Sequence, residues 1–242
     1  MAGFSALAVL FAGMPFVRGA TRANDLAFGI AGGAFGAIGA MLAYRALAIG
    51  PVTVASPIFS ITGLALPVLV GVVLGDRPSA LALVGLGLAP ISIVALAQGG
   101  HPGGGDPRRA VVPSLVAGAV LGFFLVFYGR IGRGSSLWPL IAARVAGIAC
   151  LAVVLLARRR PLLPASADRG MALLVGGLDS CANLAYVAAV QRGSLALVAA
   201  LVSLAPATSV LLARAFLGER WTSWQLTGLA LALSAGVCIS FG

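Results

Sequence analysis

Nine long apolar runs follow one another along the chain, and they constrain its fold more than any other feature of the sequence. The runs cover about 2–18, 26–48, 51–74, 78–98, 111–131, 135–157, 170–190, 194–217 and 222–241. Most of them have the length of about 20 residues at which one helix crosses the hydrocarbon core of a bilayer. The alternating pattern of a membrane β-barrel is absent, and helices are the remaining way to satisfy backbone polar groups in lipid. The sequence therefore predicts an all-α integral membrane protein with nine transmembrane helices.

The composition excludes two other classes of protein. Of the 242 residues, 60% are hydrophobic and only 9% are charged. A soluble domain is nearer half apolar and a quarter charged, and a disordered chain needs low hydrophobicity. The net charge of +10 comes from arginines at the ends of the apolar runs. Because they form no basic face, we expect no nucleic-acid partner; these arginines are typical of membrane-interface anchors.

Catalytic and metal-binding motifs are missing from the sequence. It contains no HExxH, no GxSxG and no P-loop, and its single histidine, His101, lies between apolar runs. We therefore expect neither an enzyme nor a cofactor or metal site. The expected partners are the lipid bilayer and a small-molecule substrate, with a proton or a counter-substrate as a possible second one.

An internal repeat becomes visible when the sequence is shifted by 143 residues. Over 50–89 against 193–232, without a gap, 11 of 40 positions are identical. The matches include Gly75 with Gly218, each followed by an acidic residue and an arginine, and Gly85 with Gly228. Five apolar runs, an odd number, separate Gly75 from Gly218, so the equivalent turns lie on opposite faces of the membrane. This is an inverted-topology repeat, an architecture typical of secondary transporters.

A segment rich in Gly and Pro at 99–110 divides the two copies, because it cannot form a spanning helix. The first copy, 1–98, then has four helices, and the second, 111–242, has five. The repeat partner of the run 111–131 would precede Met1. We therefore expect a ten-helix fold whose first helix is missing; a misplaced start codon and a true nine-helix variant both fit.

Short motifs in the two copies point to one family. The first copy reads Ala43-Tyr-Arg-Ala-Leu-Ala-Ile-Gly-Pro51, Ser56-Pro-Ile-Phe-Ser60 and Leu74-Gly-Asp-Arg77. The second copy reads Asn183-Leu-Ala-Tyr186, Gly193-Ser194, Ser203-Leu-Ala-Pro-Ala-Thr208, Gly218-Glu-Arg220 and Gln225-Leu-Thr-Gly228. The pattern resembles the EamA repeat of the drug/metabolite transporter superfamily over nearly the whole chain. The resemblance implies a carrier of small metabolites in the bacterial inner membrane, often moving them outward, with a cytoplasmic C-terminus. The arginines of the loops do not bias the orientation either way.

Asp179 is the sharpest candidate for a functional residue. It is the only acidic residue inside an apolar run, near the middle of 170–190. An acid at this depth costs at least about 2.5 kcal/mol and should therefore face a cavity or a partner. Arg144 lies at a similar depth in the preceding run, so we expect a buried Arg144–Asp179 pair. The pair could be a substrate or proton site, or a static ion pair that locks two helices together.

The remaining candidates are polar or helix-weakening residues at related positions of the two copies. They are Ser60, Thr62, Ser203 and Pro206, and the residues Tyr44, Tyr186 and Asn183 of the third helix of each repeat. The first group could mark broken helices whose freed carbonyl groups bind substrate, or could mark ordinary proline kinks. The tyrosines could line the cavity, or could anchor or pack helices. Asn183 is one helical turn from Asp179 and shares its face.

Together these features predict a secondary active transporter, an exporter or an exchanger, that works by alternating access between two inverted repeats. Without an ATP-binding motif, a proton gradient or exchange would drive it. One acid and one arginine would suit a zwitterion, a cation or an anion. Two alternatives stay open, a flippase for lipid-linked precursors and a membrane scaffold or subunit that transports nothing.

Overall fold

In a computed structural model, the described part of the chain is helical and contains no β-strand. The structure describes residues 2–14, 19–75, 77–98, 107–132, 135–159, 169–192, 205–217 and 222–241. These residues form α1 (Ala2–Gly13), α2 (Ala23–Ile49), α3 (Val52–Val73), α4 (Ala80–Gln98), α5 (Pro107–Gly129), α6 (Trp138–Ala157), α7 (Arg169–Arg192), α8 (Ala205–Leu217) and α9 (Ser223–Phe241). The predicted all-α class is confirmed.

Six of the described helices are long and apolar enough to cross a membrane. They are α2, α3, α4, α5, α6 and α9. The described parts of α1 and α8 have 12 and 13 residues, and α7 has 24. The chain is therefore a multi-pass membrane protein, while the count of nine spans stays a prediction.

The helix ends follow from local turn chemistry. α3 ends at Val73, and the N–H of the next residue, Leu74, donates to the Val70 carbonyl at 3.0 Å. Gly75 follows with a φ of +98°, a left-handed conformation that glycine adopts without strain. This turn is the first Gly-acid-Arg motif, and its glycine ends a helix as such motifs do. The second motif, Gly218 to Arg220, lies outside the described residues.

α4 and α9 begin with hydroxyl caps at equivalent positions. The Ala82 N–H donates to Ser79 Oγ at 3.1 Å. At the start of α9, the Gln225 N–H donates to Thr222 Oγ1 at 3.3 Å and the Thr222 N–H donates to Gln225 Oε1 at 3.1 Å. The second arrangement is a reciprocal capping box. Ser79 and Thr222 are separated by 222 − 79 = 143 residues, the offset of the predicted repeat.

The chain packs as two compact units that do not coincide with the predicted repeats. Unit 1 contains Met1–Ile38 and Phe127–Ser194, and unit 2 contains Gly39–Val126 and Leu195–Gly242. Each unit thus draws helices from both halves of the sequence, and α2 and α5 contribute to both units.

α5 begins at Pro107, four residues before the predicted run. A proline is pre-organised for a first helical turn, which a hydropathy pattern does not register.

In unit 1, α1 packs against α6 and α7. The rings of Phe11 and Trp138 meet edge to face with their centroids 6.5 Å apart. On the other side, the Ser5 hydroxyl donates to the Leu173 carbonyl at 3.0 Å. A small polar group and an aromatic pair therefore fix α1 against both of its neighbours.

A buried carboxylate ties the start of α2 to the turn between α5 and α6. Asp25 accepts hydrogen bonds from the Arg22 N–H at 3.2 Å and from the Gly132 N–H at 3.1 Å. The hydroxyl groups of Thr21 and Ser136 bond to each other beside it. Asp25 thus binds backbone groups of its own turn and of the neighbouring one, which gives it a structural role.

In unit 2, α4 and α9 cross through two glycines that contact the opposite helix in the same way. A methyl group on Gly85 would lie 2.8 Å from the Ala235 carbonyl oxygen, and one on Gly228 would lie 3.1 Å from that of Ser92. The glycines are 143 residues apart, and so are Ser92 and Ala235. The contact is reciprocal, and it makes the helices antiparallel, because the start of α4 meets the end of α9.

α3 runs without interruption through Ser60 and Thr62, where a broken helix was one of the two interpretations of the sequence. Pro57 and Pro67 both lie inside this helix. The Thr62 hydroxyl donates to the Ile58 carbonyl at 2.8 Å, so it is hydrogen-bonded within its own helix. A role for Ser60 and Thr62 therefore stays a prediction.

Glycines of α5 let that helix approach the backbone of α3. A methyl group on Gly118 would lie 2.6 Å from the Phe59 carbonyl oxygen, and one on Gly122 would lie 3.1 Å from that of Gly63. Pro67 has no N–H to donate to Gly63. Because Gly122 has no side chain, α5 can lie close to the Gly63 carbonyl group, which receives no hydrogen bond from Pro67.

Candidate functional site

The structure brings together the two charged residues that the sequence singled out within the apolar runs. An Nη group of Arg144 on α6 donates to the Asp179 carboxylate on α7. Asp179 lies ten residues after Arg169 and thirteen before Arg192, near the middle of its helix. Arg144 lies six residues after the start of α6. Both charges are therefore carried by unit 1 and are paired within it.

The pair is more open than the sequence suggested. We expected a buried pair, but 30% of the Arg144 side chain and 51% of the Asp179 side chain are exposed. Sequence depth does not determine this exposure, since it depends on which helices cover the pair. Charged groups in membrane helices normally face protein or a water-filled cavity.

Close packing against α2 fixes the backbone that carries Arg144. A methyl group on Gly33 would overlap the carbonyl oxygen of Ala143, the residue before Arg144, and one on Gly29 would overlap that of Pro139. A methyl group on Gly147 would in turn lie 3.2 Å from the Gly33 carbonyl oxygen. Small residues that permit such approaches are typical of membrane helix interfaces. The arginine therefore projects from a rigid section of α6.

A tyrosine that the sequence did not single out contacts the same turn of α2 as the backbone next to Arg144. Tyr128, near the end of α5, packs its ring on Gly32, where a methyl group would be 2.8 Å from Cδ2. Tyr128 has no counterpart in the repeat comparison, and it stands close to a helix end, where a tyrosine usually indicates the membrane interface. Only the contact with α2 reveals its position.

The other candidates described by the structure belong to unit 2. Tyr44 lies on the second part of α2 and is 67% exposed. Ser60 and Thr62 lie on α3, both half-buried, and the Thr62 hydroxyl is bonded to its own helix. All three lie within unit 2, and the Arg144–Asp179 pair lies within unit 1.

Four candidates cannot be placed by their side chains. Asn183 and Tyr186 lie on α7, and Pro206 is the second residue of α8, but their side chains lie outside what the structure describes. Ser203 lies outside the described residues altogether. Their role stays a prediction from the sequence.

Several apolar helices and a charged pair inside two of them define a multi-pass membrane protein with a polar site in its helical bundle. A family model described as the EamA-like transporter family matches residues 108–241. Since this range is more than half of the chain, the protein belongs to the EamA-like transporter family, within the drug/metabolite transporter superfamily. No curated protein matches the chain.

Proposed function

We propose that the protein is a secondary active transporter of a small metabolite, which works by alternating access between two inverted repeats. The observation that carries the proposal is the half-open Arg144–Asp179 pair within the helical bundle. A pair that only locks helices gains nothing from exposure to an aqueous space, whereas a binding site requires it. A charged group of the substrate, or a proton, then binds one member of the pair in place of the other member.

The inverted repeat is supported by helix boundaries that recur at the same offset. α4 covers 80–98 and α9 covers 223–241, which differ by 143 at both ends. α2 and α7 end at Ile49 and Arg192, again 143 apart. The antiparallel, reciprocal contact of Gly85 and Gly228 has the geometry that two oppositely oriented copies would produce. Binding near the midplane between such copies is the general design of these carriers.

From the resemblance to the family, we further propose that the protein exports or exchanges its substrate across the bacterial inner membrane, with a cytoplasmic C-terminus. Asn183, one turn from Asp179 on α7, extends the same helix face and is the next candidate for a substrate contact. A proton gradient or a counter-substrate would supply the driving force.

The test is transport by purified protein in proteoliposomes. Glycine, putrescine and succinate serve as a zwitterionic, a cationic and an anionic probe, each offered in counterflow and under a proton gradient. Thermal stabilisation by a probe identifies binding before transport is measured, because a ligand of the native state shifts unfolding by mass action. The probe that binds is then used with each variant.

Asp179→Asn and Arg144→Gln should reach the membrane and reduce transport by about a hundredfold or more, since each strands a charged partner. Asp25→Asn is the matched control, because the Asp25 carboxylate accepts hydrogen bonds from the backbone N–H groups of Arg22 and Gly132. It should lower the melting temperature and leave the transport rate per folded molecule unchanged. Full transport by Asp179→Asn would mean that the pair is a static lock, and a wild type that neither binds nor moves any of a broad set of probes would favour a scaffold.

A further inference from the structure

An apolar groove lies on the surface of unit 2, between α4 and α9. Its volume is about 350 Å³, and its walls are Pro90, Ile91, Val94 and Ala95 of α4 and Trp224 of α9. Ile91 and Val94 are 56% and 55% exposed. Because both helices are long and apolar enough to cross the membrane, an exposed apolar surface on them faces lipid chains.

The groove begins at the membrane interface and runs toward the middle of the bilayer. Trp224 is the second residue of α9, and a tryptophan at a helix end is typical of the interface. The start of α9 meets the end of α4, because a methyl group on Gly228 would lie 2.8 Å from the Leu96 backbone nitrogen. From Ala95 to Pro90 the wall follows α4 for about 8 Å into the bilayer. A lipid acyl chain has this direction and chemistry.

Two arginines occupy the same end of unit 2. Arg108 and Arg109 lie in the first turn of α5, and both are exposed. Val111, one turn after Arg108 and on the same helix face, packs against a buried cluster that contains Leu96. Since Leu96 directly follows Ala95 of the groove, these contacts set the start of α5 beside the last turn of α4.

The charge at this end favours an anionic partner. The charged residues that the structure describes in unit 2 are all basic: Arg45, Arg77, Arg108, Arg109 and Arg214. Arg45 belongs to the same end, because Ala46, which follows it, packs in one buried cluster with Ala110, which follows Arg109. Asp106, which precedes α5, lies outside the described residues and would balance one of these three charges. Guanidinium groups bind phosphate through paired hydrogen bonds, and basic side chains at the ends of membrane helices attract anionic lipids.

We propose that the groove binds one anionic phospholipid. An acyl chain lies along Pro90, Ile91 and Val94 beside Trp224, and the phosphate group binds Arg108 and Arg109. A zwitterionic lipid with the same chains binds more weakly, because its headgroup carries a compensating positive charge. This binding needs no substrate, so the proposal is independent of transport.

Trp224 can report the lipid that occupies the groove. Trp138→Phe and Trp221→Phe leave it as the only tryptophan of the chain. The protein is reconstituted in vesicles of phosphatidylcholine and phosphatidylglycerol in which one lipid or the other carries brominated chains, which quench tryptophan on contact. Phosphatidylglycerol should be enriched at Trp224 at least about fivefold over its share of the bilayer, the factor that a single arginine near an anionic lipid provides. Equal quenching by the two lipids would overturn the proposal.

Variants test the two parts of the site separately. Replacing Arg108 and Arg109 together by glutamine should bring the enrichment close to one, whereas Arg77→Gln, an exposed arginine before the other end of α4, should leave it unchanged. Val94→Phe fills the groove and should reduce the enrichment at least about threefold. Val84→Phe is its matched control, because Val84 is 54% exposed on the same helix and does not line the groove. Unchanged enrichment in the double arginine variant or in Val94→Phe would refute the site.

A lipid site must also be distinguished from a site for soluble phosphate compounds. Glycerol 3-phosphate carries the phosphate of the headgroup without acyl chains. An excess of it should leave the quenching by brominated phosphatidylglycerol in place, because the chain in the groove supplies part of the binding energy. Loss of the quenching would show that the arginines bind a soluble phosphate, and the lipid assignment would be wrong.

Discussion

Individual glycines set the distances between helices in this protein. Gly29 and Gly33 on α2 each meet a backbone carbonyl oxygen of α6, so any side chain there would require one helix to move. Gly87 on α4 is also helical, but a methyl group there would contact nothing. A glycine therefore permits a close helix contact at Gly29 and Gly33 and permits none at Gly87, although hydropathy does not distinguish these positions.

We expect Gly33→Ala to destabilise the protein by about 1–3 kcal/mol, the usual cost of forcing extra volume into a packed contact. Gly87→Ala should be neutral or stabilise by up to about 1 kcal/mol, because alanine favours a helix over glycine. Unfolding by sodium dodecyl sulfate in mixed micelles measures both variants. Equal stability of the two would show that the α2–α6 contact is not tight. Because Gly33 positions the backbone of Arg144, its variant should also lose transport.

Among the helix starts that the structure describes, α9 has the most complete N-terminal cap. The side chains of Thr222 and Gln225 each accept a hydrogen bond from the other's backbone N–H, whereas α4 has only the Ser79 hydroxyl at the equivalent site. Because the first N–H groups of a helix lack intrahelical partners, these bonds determine how firmly its first turn is held.

Thr222→Ala should cost about 1 kcal/mol and speed amide hydrogen exchange in the first turn of α9 about fivefold. Thr227→Ala is the control, since the Thr227 hydroxyl only bonds back to the Ser223 carbonyl of its own helix at 3.0 Å. Mass spectrometry of a peptide that covers the first turn measures the amide hydrogen exchange of both variants. Equal exchange in the two variants would argue against the capping box.

The helices were predictable because hydrophobic length alone defines them: the run at about 222–241 became Ser223–Phe241. The turn at Gly75 was predictable from its motif, and the contact of Arg144 with Asp179 from their depth. The exposure of the pair and the location of Tyr128 were not predictable. They depend on which helices touch across the bundle, and a single sequence contains no direct record of such contacts.

At the scale of the whole molecule, the repeat predicts which loops share a face of the membrane. Five apolar runs separate position 76 from position 219, and one more separates 219 from the C-terminus at Gly242. Positions 76 and 242 should therefore face one side, and position 219 the other.

This topology can be tested by labelling single cysteines after Cys150, Cys181 and Cys238 are replaced by alanine. In intact spheroplasts, a membrane-impermeant maleimide should label Glu219→Cys, and it should label Asp76→Cys and Gly242→Cys only after permeabilisation. Labelling of positions 76 and 219 from one face would contradict the inverted repeat. A consistent reversal of all three would contradict only the proposed cytoplasmic C-terminus.

The reciprocal contact of α4 and α9 has a consequence for ancestry. An interface in which each partner presents the same patch to the other is the isologous kind found in symmetric dimers. If the two halves descend from one gene, Gly85 and Gly228 descend from a single codon. In the unfused ancestor, one mutation of that codon would have altered the interface at two places at once. Since the fusion, each glycine can change alone, so the α4–α9 interface can lose its symmetry one substitution at a time.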